Sequence, residues 1–112
     1  MTVHLFDDAE TAVAGAEGIV NATPVGMYYA PGCPVNEAAL GGQRWVFDAV
    51  YTPENTELLQ AARAKGIDVF SGFGLFLWQG ADAFEIFTGV TLTDADITAL
   101  EQEVRAANAA RA

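Results

Sequence analysis

The stretch "GIVNATPVGM", Gly18 to Met27, decides how this chain folds. Its opening, Gly-Ile-Val-Asn-Ala, is a short apolar run without polar alternation, the pattern of a parallel strand covered on both faces. The run stops at Asn21 and turns through Thr23-Pro24 and Gly26. A strand that merely ends needs one turn residue, whereas this one ends in an amide, a hydroxyl and freed peptide groups. Open α/β sheets bind ligands at the carboxyl ends of their strands, so this strand end is a candidate binding position.

Two more apolar runs follow, "RWVFDAVY" (Arg44 to Tyr51) and "IDVFSG" (Ile67 to Gly72), and both predict buried strands. Between them "TPENTELLQAARAKG" predicts a helix, with Pro53 and Glu54 near its start. Leu58, Leu59 and Ala62 form its apolar stripe and Lys65-Gly66 its stop. Upstream, Thr2 to Phe6 is a short strand candidate, and Asp7 and Asp8 offer a cap for a brief helix from Ala9 to Ala14. Tyr28 to Gln43 is rich in Pro and Gly and predicts a loop with one helical turn at Asn36 to Leu40. "FGLFLWQGADAFEIFTG" predicts a helix apolar on nearly all sides, ending at Gly89. Thr93 then caps a last helix in which Ile97, Leu100, Val104 and Ala107 recur at helical spacing. This alternation predicts a partial, Rossmann-like three-layer α/β fold with a mainly parallel sheet and C-terminal helices, about half of a doubly wound sheet.

Composition narrows the function. The 112 residues suffice for one small domain, and 52% hydrophobic content argues for a substantial core. Fifteen acidic residues against five Lys and Arg give a net charge of −10. Nucleic acid is not expected as a partner, because Arg44, Arg63, Lys65, Arg105 and Arg111 are too scattered to form a cationic face. Cys33 is the single cysteine, so neither an internal disulfide nor a cysteine zinc cluster is available, and no metal site is expected. The most apolar segment, Phe73 to Phe87, is interrupted by Gln79, Asp82 and Glu85. It is also shorter than the roughly 18–20 residues that span a bilayer, so no membrane association is expected. With no secretory signal visible, a cytoplasmic address is expected.

Three segments read together sharpen the picture. "NATPVGM" (Asn21 to Met27), "DAVYTPENTELLQAARAKG" (Asp48 to Gly66) and "GFGLFLWQGADAFEIFTG" (Gly72 to Gly89) resemble the shikimate dehydrogenase family, in its order and at its usual intervals. The resemblance implies an NADP- or NAD-dependent oxidoreductase interconverting 3-dehydroshikimate and shikimate, with quinate the substrate of some relatives. It implies that residues 1–112 are the C-terminal portion of a Rossmann-like cofactor domain, including the terminal helices at about 90–112. The N-terminal substrate domain, the Gly-rich phosphate turn and the catalytic Lys and Asp of the family are absent from this sequence. No catalytic residue is therefore expected in this chain, which alone is expected to be inactive.

The resemblance also assigns roles. Asn21, Ala22 and Thr23 would hold the nicotinamide ribose; the bland alternative is that Asn-Ala-Thr-Pro is simply a turn. Ala49 and Leu75 stand where the family often has Met beside the nicotinamide. The Gly72 carbonyl would meet the nicotinamide carboxamide, although Gly72 and Gly74 also suit an ordinary strand-to-helix turn. Tyr51 would face the substrate, against the alternative of an interfacial Tyr with a wet hydroxyl. Gln79 would hydrogen-bond a shikimate hydroxyl, since a glutamine buried among Phe, Leu and Trp needs a partner; the alternative places it on the helix surface near Asp82. Asp48 is expected to be a structural acceptor near the sheet edge and not an acid-base catalyst. His4 pairs with nothing in the sequence.

Two rival functions remain. One is a non-catalytic nucleotide-binding or assembly module with the same fold. The other is a different Rossmann enzyme with a similar strand-end motif. Retention of both Tyr51 and Gln79 favours the shikimate dehydrogenase reading over either. Uncovered apolar surface on the helix bearing Phe73, Phe76, Phe84 and Phe87, and an open edge at Gly18 to Ala22, predict a homo-oligomer.

Overall fold

A computed structural model describes residues 1–111, so Ala112, the last residue of the expected terminal helix, lies outside the described residues. The chain forms two compact units, one from Met1 to Gly72 and one from Phe73 onward. Among the described residues the first unit holds three parallel strands in the order β1 (Gly18–Asn21), β2 (Trp45–Asp48) and β3 (Asp68–Ser71). Their register aligns Ile19 with Val46 and Val69, and Asn21 with Asp48 and Ser71. The parallel α/β class follows the apolar runs directly.

Helix α1 (Ala9–Ala14) forms where expected; Asp8 occupies its N-cap position, but its side chain makes no capping hydrogen bond. The strand expected at Thr2 to Phe6 does not form: residues up to Leu5 carry no regular element, and a 3-10 turn occupies Phe6–Asp8. Val3 and Leu5 are exposed, so their alternation with His4 meets no covering surface. A single 3-10 turn at Glu37–Ala39, capped by the Asn36 carboxamide, is the helical turn expected inside the long loop. Buried Gln43 ties this region together. Its amide donates to Val13 O at 2.6 Å and Ala39 O at 3.2 Å, while its oxygen accepts from Gly41 N at 2.9 Å. Lys65 Nζ closes the 3-10 turn from outside by donating to Leu40 O at 2.8 Å and to Glu37 O.

Helix α2 (Glu57–Ala64) starts later than Pro53 and Glu54 suggested, because Thr56 is its cap and accepts from Leu59 N through its hydroxyl. Its buried stripe of Leu58, Leu59, Ala61 and Ala62 packs with Ile19, Leu40, Val46 and Ile67 into one core. The coverage of the strands on both faces is not realised. Val20 and Phe70, aligned through Phe47, are 58% and 56% exposed, since β1 and β3 are both edges and α2 covers the other face. Trp45 lies across Gly18 in the register, where a Cβ would stand 2.1 Å from the indole, so any larger residue would have to displace that ring.

The second unit contains most of α3 (Gly72–Thr88) and α4 (Asp94–Arg111). Gly89, at φ 71°, closes α3 as expected. Thr93 and Asp96 form a reciprocal cap on α4: Asp96 N donates to the Thr93 hydroxyl, and Thr93 N donates to the Asp96 carboxylate. The Thr93 hydroxyl, which donates to Asp96 Oδ2 at 2.7 Å, and after it the Thr93 N–H hold the Asp96 carboxyl below its ordinary value. The cap therefore operates above the usual carboxylate range and is lost as pH falls through the depressed value. Phe73, Leu77, Ala81 and Ile97 are buried, and Arg105 lies 4.6 Å from the Phe73 ring centroid. The remaining apolar faces of α3 stay open, with Phe84, Ile86 and Phe87 at 43%, 80% and 87% exposure. No helix among the described residues is long and apolar enough to cross a membrane.

The two glycines at the start of α3 differ sharply. A Cβ on Gly72 would stand 2.4 Å from Ala49 O and 2.7 Å from Asp48 O, whereas one on Gly74 would meet nothing within 4 Å. Gly72→Ala is expected to cost about 3 kcal/mol, since backbone must move to admit the methyl. Gly74→Ala is expected to stabilise by about 0.5–1 kcal/mol through helix propensity. Urea unfolding of both variants checks the contrast.

Candidate functional site

Because all three strands run the same way, their carboxyl ends lie on one side of the sheet. Asn21 closes β1, and Ala22 and Thr23 follow it. Ala49 and Tyr51 follow β2, and Gly72 follows β3. Six of the expected positions are thus gathered at one end of the first unit. Tyr51 lies three residues beyond the end of β2 and so stands in the loop, not on the strand as the sequence suggested.

The turn after β1 is built by Asn21, which is 3% exposed. Its Oδ1 accepts from Thr23 N at 3.1 Å and from the Thr23 hydroxyl at 2.7 Å. Its Nδ2 donates to Val25 O and to Asp48 Oδ1, each at 3.0 Å. The Thr23 hydroxyl in turn accepts from Val25 N at 3.2 Å. Ala22 and Thr23 are themselves exposed. Gly26, at φ 112°, packs behind the turn against the Thr56 methyl, in a conformation side chains rarely adopt.

Asp48 is fully buried, on the central strand and not near a sheet edge as its sequence position suggested. The expectation of a structural acceptor holds: Oδ1 also accepts from Val50 N at 3.0 Å, and Oδ2 accepts from the Thr56 hydroxyl at 2.6 Å. Thr56 is the buried partner of Asp48 that sequence reasoning missed. Its signal was available as a threonine just ahead of Glu57 and the Leu58-Leu59 stripe, the place of an N-cap.

Gly72 is buried, and its close approach is to the β2 backbone at Asp48 and Ala49. That packing alone demands a glycine. In the second unit Leu75 is 56% exposed. Gln79 is exposed too, which corrects the premise that a buried amide there needs a partner. It sits on an open groove of about 330 Å³ lined by Phe76, Leu77, Gly80, Ala83, Leu100 and Val104. An amide at the rim of an apolar groove remains able to donate and accept at once.

Cys33 lines a separate hollow of about 570 Å³ with Asp7, Glu10 and Asn36. Burial pushes its thiol above the ordinary value, outweighing a backbone hydrogen bond at Val35. The thiolate is thereby disfavoured. His4 is exposed.

No protein-family profile matches the chain. Among curated proteins it is 52% identical over 96 residues to the NADP(+) shikimate dehydrogenase of Pseudarthrobacter chlorophenolicus, covering 86% of this chain and 32% of that protein. Among solved structures it matches the quinate dehydrogenase of Corynebacterium glutamicum in complex with NAD, with a TM-score of 0.76 and 38% identity. That match covers 87% of this chain and 33% of the other. The shikimate 5-dehydrogenase of Listeria monocytogenes, in complex with shikimate and NAD, matches with a TM-score of 0.68 and 32% identity, over 85% and 34% of the two chains. The chain thus spans about a third of the length of the relatives it matches.

Removal of the Asp48 carboxylate would leave the Asn21 amide, the Thr56 hydroxyl and the Val50 N–H facing a void. Asp48→Ala is expected to destabilise by about 3 kcal/mol or more, and Asp48→Asn by less because one acceptor survives. Chemical denaturation of the two variants measures the difference.

Proposed function

We propose that this chain, which belongs to the shikimate dehydrogenase family over its matched residues, forms the cofactor-domain share of an NAD(P)-dependent oxidoreductase. The reaction is the interconversion of 3-dehydroshikimate and shikimate. The observation that carries this reading is the gathering of Ala22, Thr23, Ala49, Tyr51 and Gly72 at the carboxyl ends of three parallel strands. Residues 1–112 make up the later part of a Rossmann-like domain together with its terminal helices, and the substrate domain and the acid-base pair lie elsewhere in the enzyme.

The fit to a nicotinamide cofactor divides along the molecule. Ala22 and Thr23 offer peptide groups and a hydroxyl at an exposed strand end, Ala49 is half-buried, and Leu75 in the second unit is exposed. These suit a ribose and a flat ring. For the pyrophosphate the chain supplies no Gly-rich turn at a helix start, so that group is held by residues outside this sequence. When bound, NADP or NAD supplies the hydride chemistry, and the protein orients it. In this reading Ala22, Thr23, Ala49, Gly72 and Leu75 contact the cofactor, and Asn21 contributes through the turn it holds. Tyr51 and Gln79 contact the substrate, their phenol and amide pairing with ring hydroxyls or the carboxylate. Similarity to a quinate dehydrogenase favours quinate as a second substrate. Partnership with small molecules, not nucleic acid, accords with the charge of −10.

The test is a shikimate dehydrogenase whose matched third is replaced by this chain. It is expected to oxidise shikimate with NADP+ or NAD+, whereas the 112-residue polypeptide by itself is expected to show no turnover. A folded hybrid without shikimate or quinate oxidation would refute the reading. In the active hybrid, Gln79→Ala is expected to raise KM for shikimate by the equivalent of about 1–3 kcal/mol with cofactor KM unchanged. The exposed Phe84, Ile86 and Phe87 and the β1 edge favour self-association of the isolated chain. Light scattering is expected to give a mass above that of a monomer.

A further inference from the structure

We propose that Asn21, Asp48 and Thr56 form a buried positioning network for the strand-end site, in which the Asn21 amide braces the turn and does not contact a ligand. The argument is one of hydrogen-bonding capacity. A carboxamide has two N–H donors and two acceptor lone pairs. Both donors of Asn21 are used, on Val25 O and Asp48 Oδ1, and its oxygen already accepts twice from Thr23. Nothing remains for a ribose or a nicotinamide unless the turn itself comes apart.

The brace runs further than the turn. Asp48 accepts from Asn21 on one side and from Thr56 on the other, and the Thr56 hydroxyl also accepts from Leu59 N. One buried chain of hydrogen bonds therefore joins the turn after β1, the loop after β2 and the first turn of α2. All three side chains are at most 3% exposed, so the bonds form in a low-dielectric setting and are costly to leave unmade. Asp48 itself cannot exchange a proton with a ligand, because no part of it reaches the surface.

The network also sets what Thr23 offers. Its hydroxyl proton is directed at Asn21 Oδ1, and one lone pair accepts from Val25 N. The second lone pair is left, so towards a ligand Thr23 acts as an acceptor, suited to a hydroxyl donor. Asn21, Asp48 and Thr56 are thus positioning residues. The consequence for turnover rests on the function proposed above; the brace itself does not.

The experiment has two arms. In the 112-residue chain, Thr56→Val is expected to speed hydrogen exchange at the Thr23 and Val25 amides by about tenfold, as loss of one buried hydrogen bond implies. Val46, mid-strand, is expected to be unaffected, and Thr56→Ser is expected to restore slow exchange. Unchanged exchange at Thr23 and Val25 would overturn the proposal. Should Thr56→Val fail to fold, the unsubstituted chain decides: the Asn21 side-chain amide protons are expected to exchange as slowly as buried backbone, and fast exchange overturns the brace. In the hybrid dehydrogenase, Thr56→Val is expected to lower kcat per folded molecule about tenfold, with recovery in Thr56→Ser. Normal kcat in a folded Thr56→Val hybrid counts against the positioning role. A hybrid inactive before any substitution counts against the functional reading alone and leaves the exchange result standing.

Discussion

The constraint on which the first unit depends is one carboxylate placed out of reach of water. Asp48 ends the central strand, and a buried charge there is tolerated only because three donors surround it: the Asn21 amide, the Val50 N–H and the Thr56 hydroxyl. Each donor belongs to a different piece of chain. The carboxylate therefore fixes the end of β1, the exit from β2 and the start of α2 by the same set of bonds. An apolar core alone would hold the strands without fixing where their loops leave the sheet. The core of Ile19, Val46, Leu58, Leu59 and Ala62 supplies burial, and the polar cluster at its edge supplies register.

Close packing of backbone extends this constraint to the third strand. The peptide groups of Asp48 and Ala49 press on the Cα of Gly72, which begins α3. The three strand ends are thus held by two kinds of contact. Hydrogen bonds join the first and second, and a glycine-dependent backbone contact joins the second and third. Under the proposed function, a ligand bound there would meet loops whose geometry is set beforehand, which lowers the ordering cost of recognition.

The apolar surfaces follow a different logic. α2 covers one face of the sheet, while Val20, Phe47 and Phe70 form a row on the other face that is exposed at both edges. α3 likewise buries Phe73, Leu77 and Ala81 and leaves Ile86 and Phe87 open. Runs of apolar residues without alternation are the signature of elements meant to be covered on several sides. The pattern matches a chain that spans about a third of its relatives' length.

By itself the sequence determined the class of fold, because apolar periodicity, glycine stops and capping residues act locally and leave their mark within a few positions. The three parallel strands, the helices after β2 and β3, and the cap at Thr93 were all legible in this way. It also marked the strand ends, visible as the places where apolar runs give way to Asn-Ala-Thr or to Tyr-Thr-Pro. Thr2 to Phe6 shows the limit of that reading, for a strand pattern with no neighbour to pair with remains irregular chain. Only the tertiary structure decided the direction in which each polar group points. Asn21 reads as a ligand contact in one dimension and proves to be fully engaged by Thr23, Val25 and Asp48 in three. Gln79 reads as buried among Phe and Trp and proves to be exposed. The physical reason is the same for both: burial and hydrogen-bond partners are set by residues distant in the chain, such as Asp48 at 27 positions from Asn21, and no local pattern records them.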